Sequence, residues 1–238
     1  VGRDREYAWL VERWQDPDAR VILVEGEAGV GKSRLVHEFL GYVREEGHEV
    51  RQVWTSTEPD TLPYGPFVSM LCDGLGESVG NLPTDQAAAL REIFPDIGEY
   101  VPGLPSLPEI PADDAQQRLE DALLRLMDAA TDEGTVLCIE DAHRADAATL
   151  SLLSRIAEIR TVILTCRSEE TPADHPLRRL MRDLRTRGLA ARLALDPLRP
   201  EDVRLLLMRL SHNPDLPIAT WMESTAQGNP LFLIASLQ

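Results

Sequence analysis

Val21-Ile22-Leu23-Val24-Glu25-Gly26-Glu27-Ala28-Gly29-Val30-Gly31-Lys32-Ser33 joins a short apolar run to a glycine-rich turn and a lysine–serine pair. The run is of strand length and rich in β-favouring residues. Residues 26–33 have the spacing GxxxxGK followed by Ser or Thr. Residues 34–44 then place Leu35, Phe39, Leu40 and Val43 on one helical face. Strand, glycine turn and helix, in that order, is the setting in which this spacing cradles phosphate. Glycines let the backbone curl so that its N–H groups turn inward, and the helix N-terminus adds positive potential. Gly26, Glu27, Ala28, Gly29, Val30, Gly31, Lys32 and Ser33, with the adjacent Arg34, are therefore the expected nucleotide-binding residues. Lys32 is expected to reach the β- and γ-phosphates, and the Ser33 hydroxyl to ligate Mg²⁺. Without nucleotide, the Lys32 side chain is expected to be exposed.

Further apolar runs lie at residues 50–54, 136–139, 161–166 and 191–195. Between them, helical faces recur: Leu119, Leu123, Leu126 and Ala130, then Leu150, Leu153 and Ile156. Strands apolar on both faces and separated by helices predict an α/β fold, a five-stranded parallel sheet flanked by helices. The five prolines of residues 95–111 rule out one regular element there and suggest a surface connector, with a partner-binding segment as the alternative. From Pro197 the pattern is helical only. Pro200 suits a first helical position, followed by Val203, Leu206, Leu207 and Leu210 on a buried face. A helix is expected over residues 218–226, stopping at Gly228. Asn229-Pro230 then reads as N-cap and first residue of a last helix. The expected domains are residues 1–196, binding nucleotide, and residues 197–238, the start of a small helical lid.

The second half of a phosphate site is an acid at a neighbouring strand end. Val136-Leu137-Cys138-Ile139-Glu140-Asp141 supplies two, which are costly beside a buried strand unless a cation neutralises them. One acid is expected to hold Mg²⁺ through water, and the other to polarise an attacking water. Ser33 and Glu140 are the expected metal residues; Glu140, Asp141 and Arg167 are the expected catalytic set. Helix capping is the alternative for Asp141. Adjacent strand residues point to opposite faces, so the two acids share a role only if the strand has ended. Arg167 follows the run 161–166 at the same sheet edge, where it can touch a γ-phosphate or pair with Glu169 or Glu170. His143 is a structural hydrogen-bonding group or a sensing one.

The 238 residues carry 24 Lys and Arg against 40 Asp and Glu, a net charge of −16. That balance opposes non-specific nucleic-acid binding, which needs a basic surface. No apolar run approaches the roughly 20 residues of a membrane span, and the charged start, Val1-Gly2-Arg3-Asp4-Arg5-Glu6, is unlike a signal peptide. Cys72, Cys138 and Cys166 lack metal or redox spacing. A cytoplasmic location is expected. The absence of an initial Met and the apolar helical ending suggest a piece of a longer protein.

Together these residues resemble the STAND class of signalling P-loop ATPases, in particular the AAA-type module of large bacterial LuxR-type transcriptional regulators. The resemblance covers nearly the whole chain. Gly2-Arg3-Asp4-Arg5-Glu6 is similar to the family's GRxxE opening, which lies over the adenine. Leu62-Pro63-Tyr64-Gly65-Pro66 follows the second strand as it does there. Glu140-Asp141-Ala142-His143-Arg144-Ala145-Asp146 is similar to the acidic pair followed by HWAD, with Glu140 where Asp is commoner and Arg144 in place of Trp. Thr165-Cys166-Arg167 is similar to the sensor arginine. Gly228-Asn229-Pro230 is similar to the GxP of the lid, whose proline touches the base. The resemblance adds Gly2, Arg3 and Pro230 to the nucleotide site. It implies a P-loop NTPase fold, ATP or ADP with Mg²⁺, and slow hydrolysis serving a switch. It further implies ATP-dependent self-association, and DNA contact only through a domain outside these residues. The competing functions are a P-loop kinase, for which Arg178, Arg179, Arg182, Arg185 and Arg187 could form a lid cluster, and a DNA-loading ATPase of the origin-recognition type.

Overall fold

The computed structural model describes residues 2–55, 62–72, 75–210 and 228–236. Strands β1 (Val21–Gly26), β2 (Val50–Trp54), β3 (Val136–Glu140), β4 (Thr161–Arg167) and β5 (Ala190–Ala194) form one sheet in the order β2-β3-β4-β1-β5. Every neighbouring pair is parallel, as expected. The ladder carries β1 two residues past its apolar run, because Glu25 and Gly26 pair with Cys166 and Arg167. Backbone pairing needs N–H and C=O groups rather than apolar side chains. The last strand likewise lies one residue earlier than expected.

Alternate residues divide the core. Ile22, Val24, Val136, Cys138 and Ile163 pack on the side of α1 (Asp4–Trp14) and α2 (Lys32–Glu45), with Leu10, Leu35, Val36 and Phe39. Val21, Leu23, Leu137, Ile139, Val162 and Leu164 face the other way. That second layer draws on α7 (Ala112–Ala130), α8 (Ala147–Ile156) and α9 (Pro176–Thr186), through residues such as Leu123, Leu126, Leu153 and Leu184. Cys138 and Cys166 are buried, and burial pushes the Cys166 thiol up to about 11. Glu25 is a buried carboxylate in β1, bound by Arg178 at 2.6 Å and by Arg192. Two guanidiniums offset the desolvation that a lone strand carboxylate would suffer.

Residues 65–100, to which the sequence pattern assigned no element, hold four short helices: α3 (Gly65–Leu71), α4 (Leu75–Val79), α5 (Thr84–Ala89) and α6 (Ile97–Tyr100). Each is too short to display a helical period in sequence. Phe67, Val79, Leu90 and Ile97 nevertheless close the core beside α7. The proline-rich segment 95–111 is no single element, but Val101, Leu104 and Leu107 pack against the same core, so it is more than a surface connector. After β5 come α10 (Pro200–Leu210) and α11 (Pro230–Ser236), which share a small cluster of Leu198, Val203, Leu207 and Leu233. The helix expected over residues 218–226 lies outside the described residues.

The strand order positions the chemistry. β3, β4 and β1 are consecutive neighbours, so the acid pair, Arg167 and the glycine loop leave the sheet side by side at its carboxyl edge. Ligands of open parallel sheets bind at that edge.

Candidate functional site

The loop after β1 is shaped by two glycines in the left-handed region, Gly29 at φ +78° and Gly31 at φ +102°. A Cβ on Gly31 would meet no atom within 4 Å, so conformation rather than crowding selects glycine there. Gly31 caps the 14-residue α2. Among the described residues, the N–H groups of Gly29, Gly31, Lys32 and Ser33 have no acceptor. Unpaired donors at a helix start constitute an anion site, and this cradle fits a nucleotide's phosphates. Lys32 corrects the expectation of exposure. Its ammonium donates to the carbonyls of Gly26 and Glu27, both at 2.8 Å, leaving the residue 7% exposed. The curl that turns N–H groups one way turns these carbonyls towards the lysine. Burial lowers the Lys32 pKa, against the pull of Glu169 and Asp141.

Glu140 ends β3. Asp141 takes φ +53° and opens a 3₁₀ turn, Ala142–Arg144. The strand has therefore ended between the two acids, and alternation no longer separates them. Asp141 makes no side-chain capping bond; its N–H donates to Thr165 Oγ1 at 2.9 Å. Glu140 is buried, with Oε2 accepting from Ser33 Oγ at 2.5 Å and Oε1 from Gln52 Nε2 at 2.8 Å. Ser33 and Glu140 thus offer two oxygen donors in contact. That set suits Mg²⁺, which takes one or two protein oxygens and completes its shell with water and phosphate. No group of three or more metal-ligating side chains occurs among the described residues.

Of the two carboxylates expected to pair with Arg167, the structure gives Glu170, and it adds Asp141. The guanidinium is 2.8 Å from Glu170 and 3.7 Å from Asp141. The His143 side chain is buried, with Nε2 3.2 Å from Glu170 and Nδ1 3.9 Å from Asp141. Burial lowers its pKa, against the two carboxylates. Arg144 completes the cluster, 3.4 Å from Glu170.

The N-terminal residues reach the loop. Arg3 donates to Val30 O at 3.1 Å and Asp196 O at 2.7 Å, and pairs with Glu6. A cavity of about 310 Å³ lies beside it, with Gly2 and Arg3 on one side and Pro197 and Asp202 on the other. From the far end of the chain, Asn229 caps α11 as expected, its Oδ1 accepting from Leu231 N–H at 3.0 Å. Its amide also donates to Ala28 O at 2.8 Å, and Leu231 N–H approaches Gly29 O at 3.3 Å. Asn229 and Leu231 hold the loop, while the half-buried Pro230 sits between them. Arg34 is not brought in: its side chain is exposed and lies 3.9 Å from Glu38.

Sequence reasoning missed Gln52 and Glu169 as site residues. Gln52 had a signal, a polar residue amid Val50, Val53 and Trp54. Glu169 was considered only as a partner for Arg167, but its Oε1 accepts from Ala28 N–H at 2.9 Å. Its pKa is lowered: burial acts upward, and is outweighed by its own and Ala28's backbone N–H groups and by Lys32.

The chain is similar over 98% of its length to a STAND protein with a tetratricopeptide repeat sensor from Pyrococcus horikoshii, at 18% identity and a TM-score of 0.51, covering 29% of that chain. That likeness bears out the five-stranded α/β P-loop NTPase fold. An uncharacterized protein of Rhizobium meliloti (strain 1021) is 27% identical over 98% of the chain, which spans 24% of that relative's length. The family model for the AAA ATPase domain matches residues 1–165, which take in the phosphate loop, the acid pair and the strands that carry them. The chain belongs to the AAA ATPase domain family.

Proposed function

We propose that this AAA ATPase domain works as a slowly hydrolysing ATP/ADP switch within a multidomain bacterial transcriptional regulator of the LuxR type. The observation that carries the reading is the bond from Asn229 to Ala28 O, which joins the last helix to the phosphate loop across 201 residues. A helix fastened to the loop that grips phosphate couples nucleotide release to helix movement. On this reading residues 1–196 bind nucleotide and residues 197–238 begin the lid.

The chain's own groups divide the work. The N–H groups of Gly29, Gly31, Lys32 and Ser33 would receive phosphate oxygens. Lys32 would exchange its two loop carbonyls for phosphate, and Ser33 with Glu140 would hold Mg²⁺, which neutralises phosphate charge. Asp141, partly exposed next to Arg167, would orient and polarise water. Gly2 and Arg3 border the cavity proposed for the base, and Pro230 would lie against that base. DNA contact and ATP-dependent self-association would belong to the whole regulator, in the cytoplasm. Among the described residues, no helix is long and apolar enough to cross a membrane. Two arginines of the candidate lid cluster are engaged elsewhere, Arg178 of α9 with Glu25 and Arg187 just beyond it with Glu158, which weakens the kinase alternative.

The deciding experiment is to denature the purified protein and identify any released nucleotide by chromatography. Tightly held ADP supports a switch; rapid multiple turnover with only loosely bound nucleotide would overturn it.

A further inference from the structure

Glu169 carries the inference that reaches furthest. It lies 141 residues from Ala28 in sequence, yet its carboxylate accepts the Ala28 N–H at 2.9 Å. Ala28 is the third residue of the eight-residue loop and stands ahead of the donors clustered at the start of α2. The donors of Gly29, Gly31, Lys32 and Ser33 have no protein acceptor among the described residues, whereas the Ala28 donor is taken by Glu169. Among the carboxylates, Glu169 also exerts the largest electrostatic pull on Lys32, exceeding Asp141. An anionic oxygen on a loop N–H, within the field of the loop lysine, is the chemical description of a bound phosphate oxygen.

The segment bearing it is fixed to the loop and to the ion cluster. Ser168 N–H donates to Gly26 O at 3.2 Å. Ser168 Oγ donates to the second Glu169 oxygen at 3.3 Å. On either side in sequence stand Arg167 and Glu170, which pair with each other at 2.8 Å and gather His143, Arg144 and Asp141. Glu169 therefore stands between the loop and the groups proposed to act on water.

We propose that Glu169 is an internal stand-in for the terminal phosphate of a nucleoside triphosphate: it makes the loop favour a diphosphate, and a triphosphate must displace it. This rests on the nucleotide-switch reading above and names the residue that sets its preference. The lysine reaches the β- and γ-phosphates in this loop type, and the donors nearest the helix serve the inner phosphates. The carboxylate on Ala28 thus competes with the outermost group, first for the N–H and second by like charge. Like charges brought together cost enough to change affinity by about tenfold or more.

The test compares Mg²⁺–ATP and Mg²⁺–ADP binding to the full chain, wild type, Glu169→Gln and Glu169→Ala, by titration with fluorescent analogues of both nucleotides. Thermal unfolding without nucleotide checks that the variants fold; the side chain is exposed, so little change is expected there. The expected result is ATP affinity rising by about tenfold in Glu169→Ala, with ADP affinity within about twofold of wild type. Glu169→Gln keeps an acceptor but no charge, and should give part of that gain. Equal shifts for both nucleotides would overturn the proposal, because a general charge effect lacks selectivity; so would no shift for either. If the wild type binds neither nucleotide, the switch reading itself falls and takes this inference with it.

Discussion

The Ser33 hydroxyl and the Glu140 carboxylate, 107 residues apart, share a 2.5 Å hydrogen bond. It joins the first turn of α2 to the end of β3 and puts the two oxygens proposed for Mg²⁺ in contact. Gln52 holds the other carboxylate oxygen, so Glu140 is oriented from two sides. Glu140→Gln keeps one acceptor oxygen, but sets an amide NH₂ against either Ser33 or Gln52. We expect weakened magnesium dependence of ATP binding, read by titrating Mg²⁺ at fixed nucleotide, and a loss of about 1 kcal/mol in denaturant stability.

Asp141 is expected to affect hydrolysis more than binding. It stands outside the strand, partly exposed, with Arg167 3.7 Å away. Asp141→Asn should retain ATP and lower hydrolysis by about 100-fold or more, the range for removing a general acid–base group. Phosphate release under single-turnover conditions measures it. Hydrolysis at the wild-type rate would leave the acid with a structural part only. A fall in magnesium dependence here, instead of at Glu140, would mean the two roles are exchanged.

Lys32→Ala should weaken both ATP and ADP by at least about tenfold, through loss of a charge-assisted contact to phosphate. Because Lys32 is buried on two carbonyls, the substitution should also lower stability without nucleotide, by about 1–2 kcal/mol. A thermal melt of the apo-protein separates this from the fully exposed lysine of the sequence expectation, which would leave the melting temperature unchanged.

The proposed lid separates into cap and latch. Asn229→Ser can still cap α11 but is too short to reach Ala28 O, so ADP release should accelerate, by about tenfold, with little change in stability. Pro230→Ala should also speed release without altering apo stability if Pro230 touches the base. A stopped-flow chase of labelled ADP reads both. If only Asn229→Ser acts, the latch is the hydrogen bond and Pro230 shapes the turn.

His143 gives a pH dependence. Burial lowers its folded pKa below the ordinary histidine value of 6.5. The unfolded chain therefore binds the proton more readily, and stability rises with pH across the interval. The contribution is fully present above about 6.5 and is lost as pH falls from there through the folded value. Urea midpoints should drop between pH 7.5 and 5.5 in the wild type and drop less in His143→Gln.

Local patterns carried much of this protein in its sequence. The apolar run 21–24, the glycines of the loop, the period of Leu35, Phe39 and Leu40, and the cap at Asn229 are each specified within a few residues. Backbone preference and hydrophobic period act over that range, so the five parallel strands, the principal helices and the phosphate cradle were legible there. The short helices of residues 65–100 were not, because an element of four to seven residues repeats its period at most once and takes its helicity from the core it covers. What the site's long-range contacts do was settled only in three dimensions. The order β2-β3-β4-β1-β5 places β4 between β3 and β1, and so brings Arg167 between the acids and the loop. Glu169 on Ala28, Gln52 on Glu140 and Asn229 on Ala28 join residues 141, 88 and 201 positions apart. Such hydrogen bonds leave no periodicity in the chain: they depend on distances that exist only after the apolar faces have packed, and the same packing buries Lys32 and Glu25, whose types alone promised exposure.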